Sequence, residues 1–259
     1  NFLVYVVQES PSVSFLLLVI ASSFFGIGFG QNGTSNVLDF GATGNDIAED
    51  TRVNNFSLLI EKFLVVMGTR MVHHAFFNAW ERTCGTEGAK HVLKIPYGKT
   101  YQLKPLKFEG PCKVDRVKIQ ILGNIEAPSN LSDWNECQSG CWLCFSNVSN
   151  LAVVGTGEIN GHGYLWWRNK AAQAIDNTKV SNVTNYEGCN APTAIHFDQC
   201  DNLQLGGFAS IDSPRNHIRM HRCNDVYISN IHITAPEDSP NTDGIAISST
   251  SHVKVLDSD

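Results

Sequence analysis

The sequence predicts an all-β protein whose chain coils into a parallel β-helix. The first observation is a pair of strand series at matched intervals. Ile195-His196-Phe197, Ile218-Arg219-Met220 and Ile245-Ala246-Ile247 form one series, and Leu203-Gln204-Leu205, Val226-Tyr227-Ile228 and Val253-Lys254-Val255 form the other. Their starts, at 195, 218 and 245 and at 203, 226 and 253, both step by 23 and then by 27 residues. Tiny strands repeating at such a period belong to solenoids, whose successive turns bury one continuous core. The second observation is that no helical pattern separates these strands, which excludes an alternating helix–strand barrel. The third is the strict period-two alternation within each strand. It turns one set of side chains inward and leaves His196, Gln204, Arg219, His232 and Lys254 outside.

The remaining elements follow from local pattern. Residues 36–50, NVLDFGATGNDIAED, read as a short strand followed by a Gly/Asn/Asp turn. Residues 74–84, HAFFNAWERTC, set Ala75, Ala79 and neighbouring aromatics on one helical face, a short amphipathic helix able to close one end of a core. Between them, residues 52–72 read as an atypical insertion, whose Phe56-to-Met67 portion is strongly apolar and has no turn signals. Beyond Cys84 the texture becomes short strands punctuated by Gly, Asn and Pro: 92–96, 117–121, 142–143, 151–154 and 158–159. Tyr164 to Arg168, YLWWR, reads as an aromatic loop or turn, whose Trp166 and Trp167 suit either buried packing or stacking on a sugar ring.

The chain has 259 residues and a net charge of -6, with no basic block, which argues against nucleic acid as a partner. An acidic balance still permits a polyanionic substrate, provided the cations that bind it are clustered locally. The uncharged, apolar stretch at 13–29 ends in small residues and reads as the core of a secretory signal region spanning 1–30, with a membrane anchor as its rival. Eight cysteines and five N-glycosylation acceptors, at Asn32, Asn55, Asn130, Asn147 and Asn182, fit an exported, disulfide-bonded protein. Cys137-x3-Cys141-x2-Cys144 hints at zinc, but no His or Cys group at finger spacing follows it, and no metal is expected.

The candidate chemistry lies at Ser239-Pro240-Asn241-Thr242-Asp243-Gly244, a polar turn running directly into a strand. Stacked turns present side chains about 4.8 Å apart along an outer face, a groove matched to an extended polymer. Inverting hydrolysis of a glycosidic bond needs an acid and a carboxylate about 6.5–9.5 Å apart. Asp243 is the nominee for one of them. Asp198, Asp212, Glu237 and Asp238 are other carboxylates on this and earlier turns, and the residues alone do not identify the partner.

Ordered motifs then give the chain a resemblance. NVLDFGA at 36–42, EDT at 49–51, HAFFNAWERTC at 74–84, FEGPC at 108–112 and GNIEAPS at 123–129 come first. GTGEINGHGYLWW at 155–167, SIDSPRNHI at 210–218 and APEDSPNTDGIAIS at 235–248 follow. Together they resemble the plant polygalacturonases, pectin-hydrolysing members of glycoside hydrolase family 28.

The resemblance implies a right-handed, pectin lyase-like β-helix and inverting hydrolysis of α-1,4-galacturonan without metal or organic cofactor. It assigns a catalytic role to Asp243 and a substrate-binding role to Asn241. The family's other two aspartates form an adjacent pair about one coil further on, beyond Asp259. The chain is therefore expected to be the N-terminal part of the domain, truncated at its C-terminal end and inactive alone. The pair is not Asp257 and Asp259, which are not adjacent. Gly161-His162-Gly163 mimics another family motif, but its context makes His162 structural.

The implied partner is homogalacturonan in the cell wall. The full-length protein is expected to be a secreted monomer with no stable membrane association after processing. A rhamnogalacturonan or xylogalacturonan hydrolase, or a noncatalytic pectin-binding β-helix, is the alternative. Cys84 with Cys112, and Cys200 with Cys223, are candidate disulfides. The second pair, one turn apart, could instead stack as free interior thiols.

Overall fold

Apolar residues alternating with polar ones, on strands only three to six residues long, build the solenoid coil by coil. A computed structural model describes residues 33–44, 72–134, 140–168 and 190–259. The signal region at 1–30 and residues 52–71 of the expected insertion lie outside the described residues; Val72 lies in a helix. Among the described residues, no helix is long and apolar enough to cross a membrane.

The chain enters through β1 (Thr34–Asn36) and a 3-10 turn, Val37–Phe40, then reaches helix α1 at residues 72–85. The first full coil is β2 (His91–Ile95), β3 (Thr100–Gln102) and β4 (Leu106–Glu109). The second is β5 (Val117–Ile121), β6 (Asn124–Glu126) and β7 (Cys141–Ser146). The third is β8 (Leu151–Gly155), β9 (Glu158–Asn160) and β10 (Thr193–Asp198). Then come β11 (Leu203–Gly206), β12 (Ala209–Ile211) and β13 (Ile218–His221), followed by β14 (Asn224–Ser229), β15 (His232–Thr234) and β16 (Ile245–Ser248). β17 (Ser251–Leu256) opens the next coil.

Stacking these coils produces three parallel sheets. The first runs β1-β2-β5-β8-β11-β14-β17, the second β16-β13-β10-β7-β4 and the third β15-β12-β9-β6-β3. The expected register holds residue for residue: Ile195 pairs Ile218 and Ile218 pairs Ile245 in the second sheet. In the first, Leu203 pairs Val226 and Val226 pairs Val253.

Inside, like side chains stack on like. Phe145 lies nearly parallel between Phe108 and Phe197, with centroids 4.5 and 4.9 Å away. Helix α1 closes the end of this core. Ala75, Phe76, Ala79 and Trp80 are buried, and Phe76 and Trp80 make T-shaped contacts with Tyr101 and Phe108. The Trp80 indole also donates to the Glu109 carbonyl, and the Cys84–Cys112 disulfide ties the helix end to the following coil.

The turns from the second sheet to the first repeat one conformation. Each has two residues with left-handed backbone, three positions apart: Asn147 and Asn150, Gln199 and Asn202, Arg222 and Asp225, Ser249 and His252. Asn and Asp tolerate this region best, which accounts for the polar residues at these corners. Backbones also approach closely: a Cβ on Gly155 would lie 1.7 Å from the Ile121 carbonyl oxygen, so only glycine fits.

Two local expectations are corrected. The strand expected to open at Asn36 ends there, because the Asn36 side chain accepts from the Leu38 amide and starts a 3-10 turn. The loop expected at Tyr164 to Arg168 is a single helical turn, begun by the Trp166 and Trp167 amides donating to the Gly163 carbonyl. Trp166 is buried against Trp134, and the Trp167 indole donates to the Pro214 carbonyl, so one ring joins the core and the other is tied to the neighbouring coil. Cys141 and Cys144, the last two cysteines of the zinc-like spacing, form a disulfide with each other. Cys137 lies outside the described residues.

Candidate active site

The polar turn before β16 is folded by its own hydroxyls. Ser239 Oγ donates to the Pro236 carbonyl at 2.6 Å and lies 2.6 Å from Thr242 Oγ1. Asn241 follows at the tip, exposed and in the left-handed region at φ 58°. Asp243 comes next, also exposed, and is held from the coil beneath by two contacts. The Asn216 side-chain amide donates to its Oδ2 at 2.9 Å, and the His217 backbone amide donates to its carbonyl at 2.9 Å. Asn216 is itself buried, so the carboxylate is oriented by a group that packing holds still.

The outward face of the second sheet extends from this turn. In register across successive strands stand Lys107, Cys144, His196, Arg219 and Ala246. Burial, reinforced by the nearby Arg219 charge, pushes the His196 pKa down, and its Nε2 is buried without a partner. Arg219 is exposed. A carboxylate, a guanidinium and an imidazole thus share one side of the solenoid, with strands about 4.8 Å apart. Such a surface can hold an acidic sugar while a carboxylate faces the bond between sugars.

The other sequence-nominated carboxylates divide. Asp198 is clamped by Arg222 through two hydrogen bonds of 3.1 and 2.7 Å, at the corner leading to the first sheet. Asp212 is half-buried; burial raises its pKa and the neighbouring His162 opposes that rise. Glu237 and Asp238 are exposed on the turn leading to Ser239.

His162 sits where the chain packs tightly. Its backbone amide donates to Asn160 Oδ1, and its Nε2 lies 3.8 Å from a Glu126 carboxylate oxygen. The flanking glycines press on the 212–213 backbone: Gly161 N donates to the Ile211 carbonyl and Gly163 N to that of Asp212.

Sequence reasoning missed Asn216 and the buried pair beside it, Ser210 and His217, whose Oγ and Nδ1 are 2.9 Å apart. A signal was present for Asn216: it precedes Asp243 by 27 residues, the same step that separates the paired strands.

The chain is 37% identical over 225 residues to a polygalacturonase of Malus domestica, covering 87% of the chain and 41% of the relative. It is 38% identical over 184 residues to one of Persea americana, covering 71% and 37%. The chain thus spans about 40% of the length of these curated relatives. Its fold is similar to that of a hyperthermoactive exopolygalacturonase from Thermotoga maritima, with a TM-score of 0.60 at 19% identity, over 89% of this chain and 52% of that one. An endo-xylogalacturonan hydrolase from Aspergillus tubingensis gives 0.57 at 21% identity, over 72% and 47%. These neighbours share the right-handed parallel β-helix. The profile of Glycosyl hydrolases family 28 matches residues 84–259, from the disulfide at the end of helix α1 through the turn that carries Asp243, and the chain belongs to that family.

Proposed function

We propose that the protein carrying this chain hydrolyses α-1,4-galacturonosyl linkages of pectin with inversion, using Asp243 as one of its catalytic carboxylates and Asn241 as a substrate contact. The observation that carries this reading is the Asp243 carboxylate, oriented by buried Asn216 at the edge of a face bearing Arg219 and His196. In the reaction one carboxyl group protonates the leaving oxygen while a carboxylate directs water to the opposite face of the sugar. Asp243, left acceptor-rich by its single side-chain hydrogen bond, suits the water-directing role. Arg219, in register one strand away from the residues following Asp243, suits recognition of a galacturonate carboxylate.

The acid partner is expected one coil beyond this chain, so the 259-residue polypeptide alone is expected to release no reducing ends from polygalacturonate. In the longer protein, Asp243→Asn keeps the Asn216 contact geometry but removes the charge. It should lower kcat by at least about 10²-fold with the fold unchanged. Reducing-end assays on both proteins decide this: turnover by the chain alone, or an unimpaired Asp243→Asn variant, overturns the corresponding assignment.

The same protein is proposed to act in the cell wall after secretion, as a monomer and without stable membrane association. Two disulfides among the described residues support export. So do the acceptor residues Asn130 and Asn147, both exposed. Asn130 makes no side-chain capping bond, which leaves its amide accessible to glycosylation.

A further inference from the structure

We propose a second polyuronate-binding site, on the outward face of the first sheet and separate from the face that carries Asp243. A trough of about 460 Å³ runs across β5, β8 and β11 there. Its polar lining is Lys90, Arg116, Lys118, Asn150, Asn202 and Gln204, three cations and three carboxamides without a carboxylate. On a chain of net charge -6 this is a local reversal of sign. None of the three cations has an ion-pair partner among the described residues. Two carboxylates at the adjoining corners are engaged elsewhere. Asp201 accepts from the backbone and side-chain nitrogens of Asn224, and Asp225 pairs with His252 at 3.3 Å.

The floor of the trough follows from register. Lys118 pairs Ala152 and Ala152 pairs Gln204, so a small side chain separates two long polar ones and leaves the depression between them. The same outward row continues through Tyr227 to Lys254, whose ammonium lies 5.9 Å from the Tyr227 ring centroid. Lys118 and Lys254 are four strand spacings apart, roughly 19 Å at about 4.8 Å each. The row therefore offers, in order, a cation, two carboxamide-flanked steps, an exposed aromatic face and a second cation. At one edge, the Asn202 side-chain amide donates to Asn150 Oδ1 at 2.7 Å, which holds two of the carboxamides in fixed positions.

A linear polymer with one carboxylate per sugar fits this surface. The cations take carboxylates, the carboxamides take hydroxyls, and the Tyr227 ring takes an apolar sugar face. The choice of galacturonan among such polymers rests on the pectin-hydrolase reading. The site would hold a de-esterified stretch of galacturonan beside the segment on the Asp243 face, keeping the protein on its polymer between encounters.

The test is titration of the purified chain with hexagalacturonate, comparing it with the triple variant Lys90→Gln, Arg116→Gln, Lys118→Gln. A control triple, Arg82→Gln, Lys113→Gln, Arg168→Gln, makes the same change in net charge at other exposed cations. The trough variant should bind roughly tenfold or more weakly while the control matches the unmodified chain. Equal binding by the trough variant overturns the proposal, as does an equal loss in the control, which would mark a net-charge effect. Fully methyl-esterified oligomer should bind no better to the chain than to the trough variant. Tighter binding of a sulfated glycan than of hexagalacturonate overturns the choice of galacturonan. Failure of the longer protein to cleave polygalacturonate would sink the hydrolase reading while leaving these binding outcomes intact.

Discussion

His217 shows what a single buried group does to this fold. It has no solvent exposure, its Nδ1 faces Ser210 Oγ at 2.9 Å, and its Nε2 has no partner. Burial pushes its pKa down to about 4, so the folded chain holds it neutral where the unfolded chain would protonate it. Above pH 6.5 both states are neutral and the residue contributes no pH dependence. As pH falls from about 6.5 towards 4, only the unfolded state takes up the proton, and stability drops by about 3 kcal/mol. Below about 4 both states are protonated and the loss stops growing. Urea unfolding from pH 7 to 4 should therefore show a steeper decline in the native chain than in His217→Gln; parallel declines would contradict this. Nothing in the local sequence distinguishes His217 from the outward His196, because its burial comes from the coil above and the strand below.

At the scale of elements, the stacked rings of the second sheet join neighbouring coils. Phe145 is sandwiched between Phe108 and Phe197, so truncating it leaves a cavity bounded on both sides. Phe145→Ala should cost roughly 3–5 kcal/mol, measured as a lowered denaturant midpoint at constant slope. A loss below about 1 kcal/mol would mean that the coils collapse to fill the space. The strands of the first sheet from β2 to β14, four to six residues long, were legible because each buries at least two alternating side chains. The third sheet was not legible as a series: each strand is three residues long and turns one side chain inward, as with Ile125, Ile159 and Ser210. One residue cannot display an alternation. The polar Ser210 at an inward position, in register with Ile159 and Ile233, hides the series further.

For the whole molecule, the described coils are covered unequally. Helix α1 covers the core before β2, whereas no described residue packs over β16 and β17. Met220 is fully buried, yet Ile247, its register partner, is 46% exposed, and Val255 is 45% exposed although Ile228 beside it is buried. An uncovered parallel strand with apolar inward positions is a template for another chain. The 259-residue polypeptide alone is thus expected to self-associate, with a sedimentation coefficient that rises with concentration. A monodisperse monomer that melts cooperatively would overturn this expectation.

The amino-acid sequence by itself determined the solenoid, its step of 23 and 27 residues, the pairing of strands one coil apart and the placement of Asp243 beside a strand. Those are properties of periodicity, which a linear pattern carries whole. Tertiary structure alone decided that Asn216 holds the Asp243 carboxylate and that Cys200 and Cys223 remain buried free thiols, with the Cys200 amide donating to Cys223 Sγ. It also decided that Lys90, Arg116 and Lys118 line one trough with amides from two later coils. The repeat brings such residues to adjacent coils, but whether their side chains meet depends on rotamer, burial and the local turn. Those are settled only when the coils pack.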